Sequence, residues 1–306
     1  MPSLSLVRKV NAAFQPRYTP TAVFVGGTSG IGRGMVEVFA QITQGKSDIV
    51  IVGRNQNAAE NIFSNLPHPN DRTYKRDFIQ CDVTRMKNVQ AATTDILTRY
   101  PKINFLVLST GIMTMKGRDE TEEGLDTKLA VHYYSRWKFV KDLLPSLNKA
   151  SEDDEDAKVF SVLAPGKGGN IDLDDLGLKK TFSVSNAALQ APTYNDLMME
   201  AFYDSNPSLT FIHGHPGVVR TSLLEKSDTK LFNLVHPLMA TLLRPVTVSP
   251  VECGEYMWHA VFNSTKGVFR TGSKGEDLGK KRYFGSEEAK KKLWEHTVEA
   301  TTVNSQ

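Results

Sequence analysis

The sequence predicts an α/β fold in a single domain: a doubly wound parallel sheet with helices on both faces. Short apolar segments rich in β-branched residues alternate with helix-length segments from about residue 21 to 215, and such β-α-β alternation is typical of a parallel sheet. Two segments, Ile49–Val52 and Phe105–Leu108, are apolar at every position, as strands buried on both faces are. No linker divides the chain, so one domain is expected.

The individual elements follow from the same pattern. Each strand is a short apolar run, and each helix fills the longer segment between two runs. The predicted strands are Thr21–Val25, Asp48–Val52, Asp77–Gln80, Ile103–Leu108, Lys158–Leu163 and Leu209–His213. The predicted helices lie near residues 30–44, 56–66, 84–99, 123–147 and 190–204, and a short leading helix is expected around Leu4 to Phe14.

Composition and charge exclude several classes of protein. The chain has 306 residues, of which 40% are hydrophobic and 23% charged, so collagen-like and wholly disordered chains are excluded. A formal net charge of +3 is too small to predict a nucleic-acid partner, and no apolar run is long enough for a transmembrane helix. Cys81 and Cys253 lie far apart without metal-ligand spacing. We therefore expect no disulfide framework and no metal site, and a reducing, cytoplasmic location.

A glycine-rich turn directly follows the first predicted strand. It reads Gly26-Gly27-Thr28-Ser29-Gly30-Ile31-Gly32, and a helix pattern comes next. Glycines at 26, 30 and 32 permit a tight turn and a close approach of the backbone to phosphate. The N-terminus of the following helix offers free N–H groups and the positive end of its dipole. This arrangement predicts a Rossmann-type site for the pyrophosphate of a dinucleotide.

The end of the second strand indicates which dinucleotide binds. An acidic residue there would bind the ribose 2′-hydroxyl of NAD, whereas a basic residue accommodates the 2′-phosphate of NADP. The strand ends in Val52-Gly53-Arg54-Asn55, with no acid, and Arg33 follows the glycine turn. Because guanidinium groups bind phosphate bidentately, these residues predict NADP(H) as the cofactor.

These features resemble the short-chain dehydrogenase/reductase family, over about residues 20 to 275. The family's glycine motif matches the turn, its adenine-contacting Asp matches Asp82, and its Pro-Gly segment matches His215–Thr221. The spacer 169–176 is similar to that of the retinol-dehydrogenase-like branch. The resemblance implies that Val219 and Thr221 face the nicotinamide amide. The expected cofactor-binding residues are Gly26, Thr28, Ser29, Gly30, Ile31, Gly32, Arg33, Arg54, Asp82, Val83, Ser109, Gly111, Tyr194, Pro216, Val219 and Thr221.

The same resemblance implies an incomplete catalytic set, and hence an atypical member. The family uses an Asn, a Ser, a Tyr and a Lys four residues after the Tyr; the Lys lowers the pKa of the Tyr, which exchanges a proton with substrate. Tyr194 matches the Tyr, but Met198 stands at the Lys position. Ala164 stands at the Ser position and His132 at the Asn position.

Tyr194 and His132 are therefore the candidate catalytic residues. Without the Lys, a tyrosine whose pKa lies near 10 stays protonated, so Tyr194 is a poor base and reduction is the easier direction. His132 is either a proton relay or a neutral interior histidine. Lys167 is either an alternative cation at the site or a solvated loop residue. His213 and His215 lack an evident third ligand for a metal ion.

Methionines and an apolar stripe predict a bulky apolar substrate. Under the family fold they would surround the nicotinamide, and methionine suits irregular hydrophobic ligands. The methionines could instead be core residues without a ligand, and the stripe at 231–243 could instead be core or a membrane-facing patch. The residues concerned are Met113, Met115, Met198, Met199, Leu231, Leu234, Val235, Leu238, Met239, Leu242 and Leu243.

The leading functional hypothesis is an NADPH-dependent reductase of a carbonyl, imine or activated alkene in such a metabolite. Two alternatives stay open, because a fold does not fix a function: a non-redox cyclase, isomerase or dehydratase of natural-product biosynthesis, and a non-catalytic NADP-binding or sensing protein. We expect an N-terminal extension at 1–20 and an NADP-binding domain at 21–285 with a substrate lid at 222–250. A C-terminal helix and tail follow at 286–306. Family members are often dimers or tetramers, so a homo-oligomer is expected.

Overall fold

A parallel β-sheet forms the centre of the molecule. The structure is a computed structural model, and it describes residues 2–71, 73–221 and 247–303. The strands in this part of the chain are β1 Thr21–Val25, β2 Asp48–Gly53, β3 Arg76–Gln80, β4 Phe105–Leu108, β5 Lys158–Val162, β6 Thr210–Gly214 and β7 Gly267–Thr271. They form one seven-stranded sheet in the order β3-β2-β1-β4-β5-β6-β7, and every pair of neighbours is parallel.

Helices cover both faces of this sheet. In chain order they are α1 Leu4–Asn11, α2 Gly30–Ile42, α3 Gln56–Ser64, α4 Met86–Arg99, α5 Thr127–Leu129, α6 Ser135–Glu152, α7 Val184–Ser205, α8 Pro250–Asn263 and α9 Glu287–Thr301, and a π-helical turn, Ala130–Tyr134, joins α5 to α6. One hydrophobic core contains apolar residues of α4, α6, α7 and α9, and the other contains those of α2, α3 and α8. The predicted doubly wound α/β fold in a single domain is confirmed.

Most predicted elements are present in the described residues, but α8 was not predicted, and the helix expected near 123–147 is interrupted by the π-helical turn and continues to Glu152. Two further differences concern β7 and α7. Strand β7 has no counterpart among the predicted strands; it lies at the sheet edge, is only half-buried over its first residues, and contains Gly267 and Arg270, so its sequence signal is weak. Helix α7 begins at Val184, not near 190. The Oγ of Ser183 accepts a hydrogen bond from the backbone N–H of Asn186 and caps the helix, and Pro192 lies inside it.

The crossover at β1 fixes where a ligand can bind. From β1 the chain builds β2 and β3 on one side and β4 to β7 on the other. In open α/β sheets, ligands bind at the carboxyl ends of the strands where the strand order reverses. Val25 of β1 is paired with Leu108 of β4, so this crevice opens beyond those two residues. The apolar stripe at 231–243 and most of the expected lid at 222–250 lie outside the described residues.

Candidate cofactor and active site

The glycine turn after β1 has room for backbone only. Gly26 has a φ of +95°, and a Cβ there would lie 2.8 Å from the backbone nitrogen of Thr110. A Cβ on Gly32 would lie 2.3 Å from Ser109 Oγ and 2.4 Å from the carbonyl oxygen of Gly26. No side chain caps the start of α2, so its first backbone N–H groups are free to bind an anion.

A cavity of about 450 Å³ begins at this turn and runs along the carboxyl ends of β1 and β4. Most of the expected cofactor-binding residues line it: Gly26, Thr28, Ser29, Gly30, Ile31, Arg54, Asp82, Val83, Ser109, Gly111 and Thr221. The others are not among its lining residues. These are Gly32, Arg33, Tyr194, Pro216 and Val219, of which Gly32 lies directly behind the turn.

The two expected phosphate-binding arginines do not share this cavity. Arg54, exposed at the end of β2, lines it. The Nε of Arg33 donates a 2.7 Å hydrogen bond to Oε1 of Glu37, one helical turn further along α2, and Arg33 lines a neighbouring cavity of about 390 Å³ together with Arg220. In this geometry Arg33 pairs with Glu37, and of the two arginines only Arg54 lines the cleft, so the expectation of two guanidiniums around one phosphate stays a prediction.

The residues of the cleft fit a dinucleotide. The glycine turn and the free N-terminus of α2 suit a pyrophosphate, and the guanidinium of Arg54 suits a further phosphate. Oδ1 of Asp82 accepts hydrogen bonds from the backbone N–H (3.1 Å) and Oγ1 (2.9 Å) of Thr84, which fixes the carboxylate at the cavity wall. Across residues 2–71, 73–221 and 247–303, no group of three or more His, Cys, Asp or Glu could hold a metal ion.

Tyr194 lies in the protein interior and not at the cleft. Its side chain is fully buried, and its hydroxyl lies 2.9 Å from the carbonyl oxygen of Leu176 and 2.7 Å from Oε1 of Gln190, the two acceptors between which its one proton is shared. Burial raises the pKa of Tyr194 above its usual value, so the hydroxyl stays protonated. This placement differs from the one that the resemblance implies, and it disfavours the predicted contact with the nicotinamide.

The methionines separate into two groups. Met113 lines the cavity and Met115 is exposed, whereas Met198 and Met199 are buried in the core. The expectation that all four surround the nicotinamide is wrong for Met198 and Met199, because both side chains are buried in the hydrophobic core and neither lines the cavity. At the position where the family has its lysine, this chain has a core residue.

His132 lies in the π-helical turn beside the cleft. Its Nε2 accepts a 3.2 Å hydrogen bond from the backbone N–H of Ile112, a cavity-lining residue, so the proton of the neutral ring resides on Nδ1. Burial, followed by the charges of Arg136 and Lys128, lowers the pKa of His132 to about 3. Of the two alternatives for this residue, the structure favours the neutral histidine.

A polar network that the sequence analysis missed supports His132 from behind. The Nδ2 of Asn195 donates to the carbonyl oxygen of His132 at 2.9 Å, and its Oδ1 accepts from Ser161 Oγ at 2.7 Å. Each of these three residues belongs to a different element. The signal in the sequence is a serine that follows two apolar residues in β5, together with an amide directly after Tyr194 in α7.

Arg136 extends this network to the ends of two strands. The guanidinium is buried and donates to the carbonyl oxygens of Leu108 (3.2 Å), Val162 (2.9 Å) and Thr110 (2.5 Å), and to Ser161 Oγ (2.6 Å). Burial lowers its pKa to about 9. Arg136 therefore holds the carboxyl ends of β4 and β5 at a fixed spacing directly behind the cleft.

A second buried network lies below Ala164, which replaces the family's serine. The backbone N–H of Ala164 donates to Nε2 of His213 at 3.2 Å. Oδ1 of Asp196 lies 2.6 Å from His213 Nδ1 and 3.0 Å from Arg270 Nε. His213 is thus a hydrogen-bonded core residue. Lys167 is exposed and is not among the residues that line the cavity.

Comparisons with known proteins agree with this geometry. Residues 20–154 match the family model described as short chain dehydrogenase. The chain is 35% identical to oxidoreductase AN1596 of Emericella nidulans, over 85% of this chain and 77% of that protein. It is 31% identical to oxidoreductase andH of Emericella variicolor, over 84% of this chain and 74% of that protein.

The solved structures show the same fold. The NADPH-bound carbonyl reductase from chicken fatty liver matches with a TM-score of 0.60 at 17% identity, over 85% of this chain and 99% of that one. Among the described residues, no helix is both long enough and apolar enough to cross a membrane. On the strength of its relatives, its sheet and its glycine turn, this chain belongs to the short-chain dehydrogenase family of oxidoreductases.

Proposed function

We propose that the protein is an NADPH-dependent reductase of a carbonyl, imine or activated alkene in a bulky apolar metabolite. The observation that carries this proposal is Arg54 at the end of β2, at the wall of a cleft that begins with the glycine turn. The apolar side chains of Ile31, Val83, Ile112 and Met113 line the same cleft, which supports a ligand with a large hydrophobic part.

Each part of the cleft has a distinct task in this proposal. The glycine turn and α2 hold the pyrophosphate, and Arg54 holds the 2′-phosphate of NADPH. When bound, NADPH supplies a hydride to the electrophilic carbon of the substrate. Reduction of a carbonyl also requires a proton on its oxygen, and this chain must deliver that proton without the tyrosine-lysine pair of the family.

We propose Thr110, one of several hydroxyl residues at the cavity wall, as the source of this proton. It lines the cavity, and its Oγ1 is buried and has no hydrogen-bond partner among the described residues. A buried hydroxyl without a partner is costly, so a ligand oxygen or a water that bonds to it is stabilising. We assign it the task of donating to the substrate oxygen, with solvent water replacing the proton. Oxidation is the harder direction, because neither Tyr194 nor Thr110 is a base at neutral pH.

The experiment is NADPH oxidation with a panel of aromatic and alicyclic ketones, aldehydes, imines and enones, compared with Thr110→Val. We expect oxidation that requires both the wild-type protein and an acceptor, and a loss of roughly tenfold or more in kcat in Thr110→Val. NADPH affinity should change little in this variant. An unchanged kcat in Thr110→Val would show that Thr110 is not the proton donor.

A second candidate function is supported by the interior position of Tyr194 and the neutral state of His132. With these two groups unsuited to proton transfer, the scaffold could bind the cofactor without redox chemistry, as a non-redox enzyme or an NADP-sensing protein. The same assay separates the candidates. NADPH that binds in the cleft and is not consumed with any acceptor in the panel would favour the second candidate.

A further inference from the structure

Lys128 is a buried lysine at the wall of the cleft. Its relative exposure is 6%, and it lines the cavity beside Thr127, Met113 and Thr114. The Nζ donates to the backbone carbonyl oxygens of Lys116 (2.8 Å) and Gly117 (3.1 Å). Within the part of the chain that the structure describes, no carboxylate oxygen forms an ion pair with it, whereas the buried Lys138 is paired with Asp142 at 3.3 Å.

The charge of Lys128 is therefore oriented but not neutralised. Two of the three N–H donors of an ammonium group are used by carbonyl oxygens, and the ring of Phe182 lies 5.1 Å from the nitrogen. Both kinds of contact stabilise a cation without cancelling its charge. Buried charges in proteins are normally paired, so an unpaired ammonium group with a donor to spare at a cavity wall is suited to a charged ligand.

We propose that Lys128 binds an anionic group of the molecule that fills this cleft, either a carboxylate of the substrate or a phosphate of the dinucleotide. The two carbonyl bonds hold the ammonium group at the wall, and its remaining N–H group makes a charge-assisted hydrogen bond to the anion. The proposal rests on the proposed function, because it needs the cleft to bind a dinucleotide and a substrate. It adds that the cleft selects its ligand by an anionic group on that ligand as well as by apolar contacts.

The experiment compares the wild type with Lys128→Met and Lys128→Arg. Titrations with NADPH and NADH, monitored by cofactor fluorescence, test whether Lys128 binds a phosphate of the dinucleotide. For the carboxylate, 2-naphthoate and 2-naphthamide are titrated calorimetrically into protein saturated with NADP⁺; the two probes are similar in shape and differ in charge. Lys138→Met is the matched control, since it removes a buried lysine that is not among the cavity-lining residues. Thermal unfolding of each variant shows whether loss of the carbonyl bonds unfolds the protein.

If the anion is a substrate carboxylate, the wild type should bind naphthoate about tenfold more tightly than naphthamide, and Lys128→Met should lose this preference. Lys128→Arg should keep part of the preference for naphthoate, and the NADPH affinity of both variants should equal that of the wild type. If the anion is a phosphate of the cofactor, Lys128→Met should lower the affinity for NADPH by about tenfold. If that phosphate belongs to the pyrophosphate, the affinity of Lys128→Met for NADH should fall equally. If it is the 2′-phosphate, the affinity for NADH should hardly change.

Two outcomes overturn the inference. One is a Lys128→Met protein that is folded and retains both cofactor affinity and the preference for naphthoate. The other is a wild type without that preference combined with unchanged cofactor affinity in Lys128→Met. Both are distinct from failure of the proposed function, which would appear as an absence of NADPH binding to the wild type itself.

Discussion

The hydroxyl of Tyr194 donates a 2.9 Å hydrogen bond to the backbone carbonyl oxygen of Leu176. Leu176 belongs to the segment between β5 and α7, and Tyr194 lies within α7. The bond therefore ties this long connection to the helix beneath it. In this geometry the one residue that matches the family's catalytic set has a structural task.

Replacing Tyr194 with Phe should lower stability and leave catalysis largely intact. The change leaves the Leu176 carbonyl and the Gln190 side chain without a donor, at a cost of about 1–3 kcal/mol in the free energy of unfolding. We expect kcat for NADPH oxidation within about twofold of wild type. Tyr133→Phe is the control, since its buried hydroxyl bonds Thr297 Oγ1 at 2.7 Å. A kcat loss of a hundredfold or more in Tyr194→Phe, with stability retained, would place this hydroxyl at the reacting atoms.

Replacing Gly32 with Ala should weaken cofactor binding strongly. The new Cβ would lie 2.3 Å from Ser109 Oγ and 2.4 Å from the Gly26 carbonyl oxygen, so the turn must open. We expect a rise in the Kd for NADPH of at least about tenfold and a loss of about 1–3 kcal/mol in stability. Gly117→Ala is the control, because a Cβ there meets no atom within 4 Å. Equal affinities of the two variants for NADPH would contradict the assignment of the glycine turn as the pyrophosphate site.

Acid should destabilise the protein partly through His132. Its pKa in the folded state is about 3, below the value of about 6.5 in an unfolded chain. Between these values the unfolded state binds more protons, so the free energy of unfolding falls as the pH falls. From near pH 7 to near pH 5 this residue should account for a loss on the order of 2 kcal/mol.

His132→Asn should remove that contribution. Urea unfolding near both pH values measures it, as a smaller difference between the two free energies in the variant than in the wild type. Other histidines with lowered pKa values, such as His213 and His215, contribute equally to both proteins. An identical pH dependence in the two proteins would show that His132 is not held neutral.

Arg136 should be needed for the spacing of β4 and β5. In Arg136→Met, the carbonyl oxygens of Leu108, Thr110 and Val162 lose a donor behind the cleft. We expect a loss of at least about 3 kcal/mol in the free energy of unfolding, because each unsatisfied buried group costs about 1–3 kcal/mol. Arg136→Lys should lose less, since it keeps the charge and part of the hydrogen bonding. Chemical denaturation measures the free energy of unfolding of both variants. An Arg136→Met protein as stable as the wild type would show that Arg136 is not needed to hold β4 and β5.

The sequence predicted the scaffold well because the scaffold depends on local patterns. Apolar strands such as Ile49–Val52 and a glycine turn between a strand and a helix are visible in the sequence alone. The cofactor half of the site follows from the same turn, and most of its residues line the cleft. Strand β7 was missed because an edge strand with a glycine and an arginine has little apolar pattern.

The reacting half of the site could not be predicted in the same way. Its geometry depends on contacts that a motif does not specify: Tyr194 with Leu176, and Lys128 with the carbonyls of a loop. A motif gives the residue type at a position but not the direction of its side chain. Helix α7 starts six residues earlier than the pattern near 190 indicates, and where its side chains point depends on how the helix packs against the sheet and the core.

The most direct test is a fluorescence titration of wild type, Arg54→Ala and Arg33→Ala with NADPH and with NADH. We predict that the wild type binds NADPH more tightly than NADH, and that Arg54→Ala loses about tenfold or more in NADPH affinity with little change for NADH. Arg33→Ala should have a small effect on both, because Glu37 holds that guanidinium. Equal loss for both cofactors in Arg54→Ala, or no NADPH binding to the wild type, would contradict an NADP(H) site in this cleft.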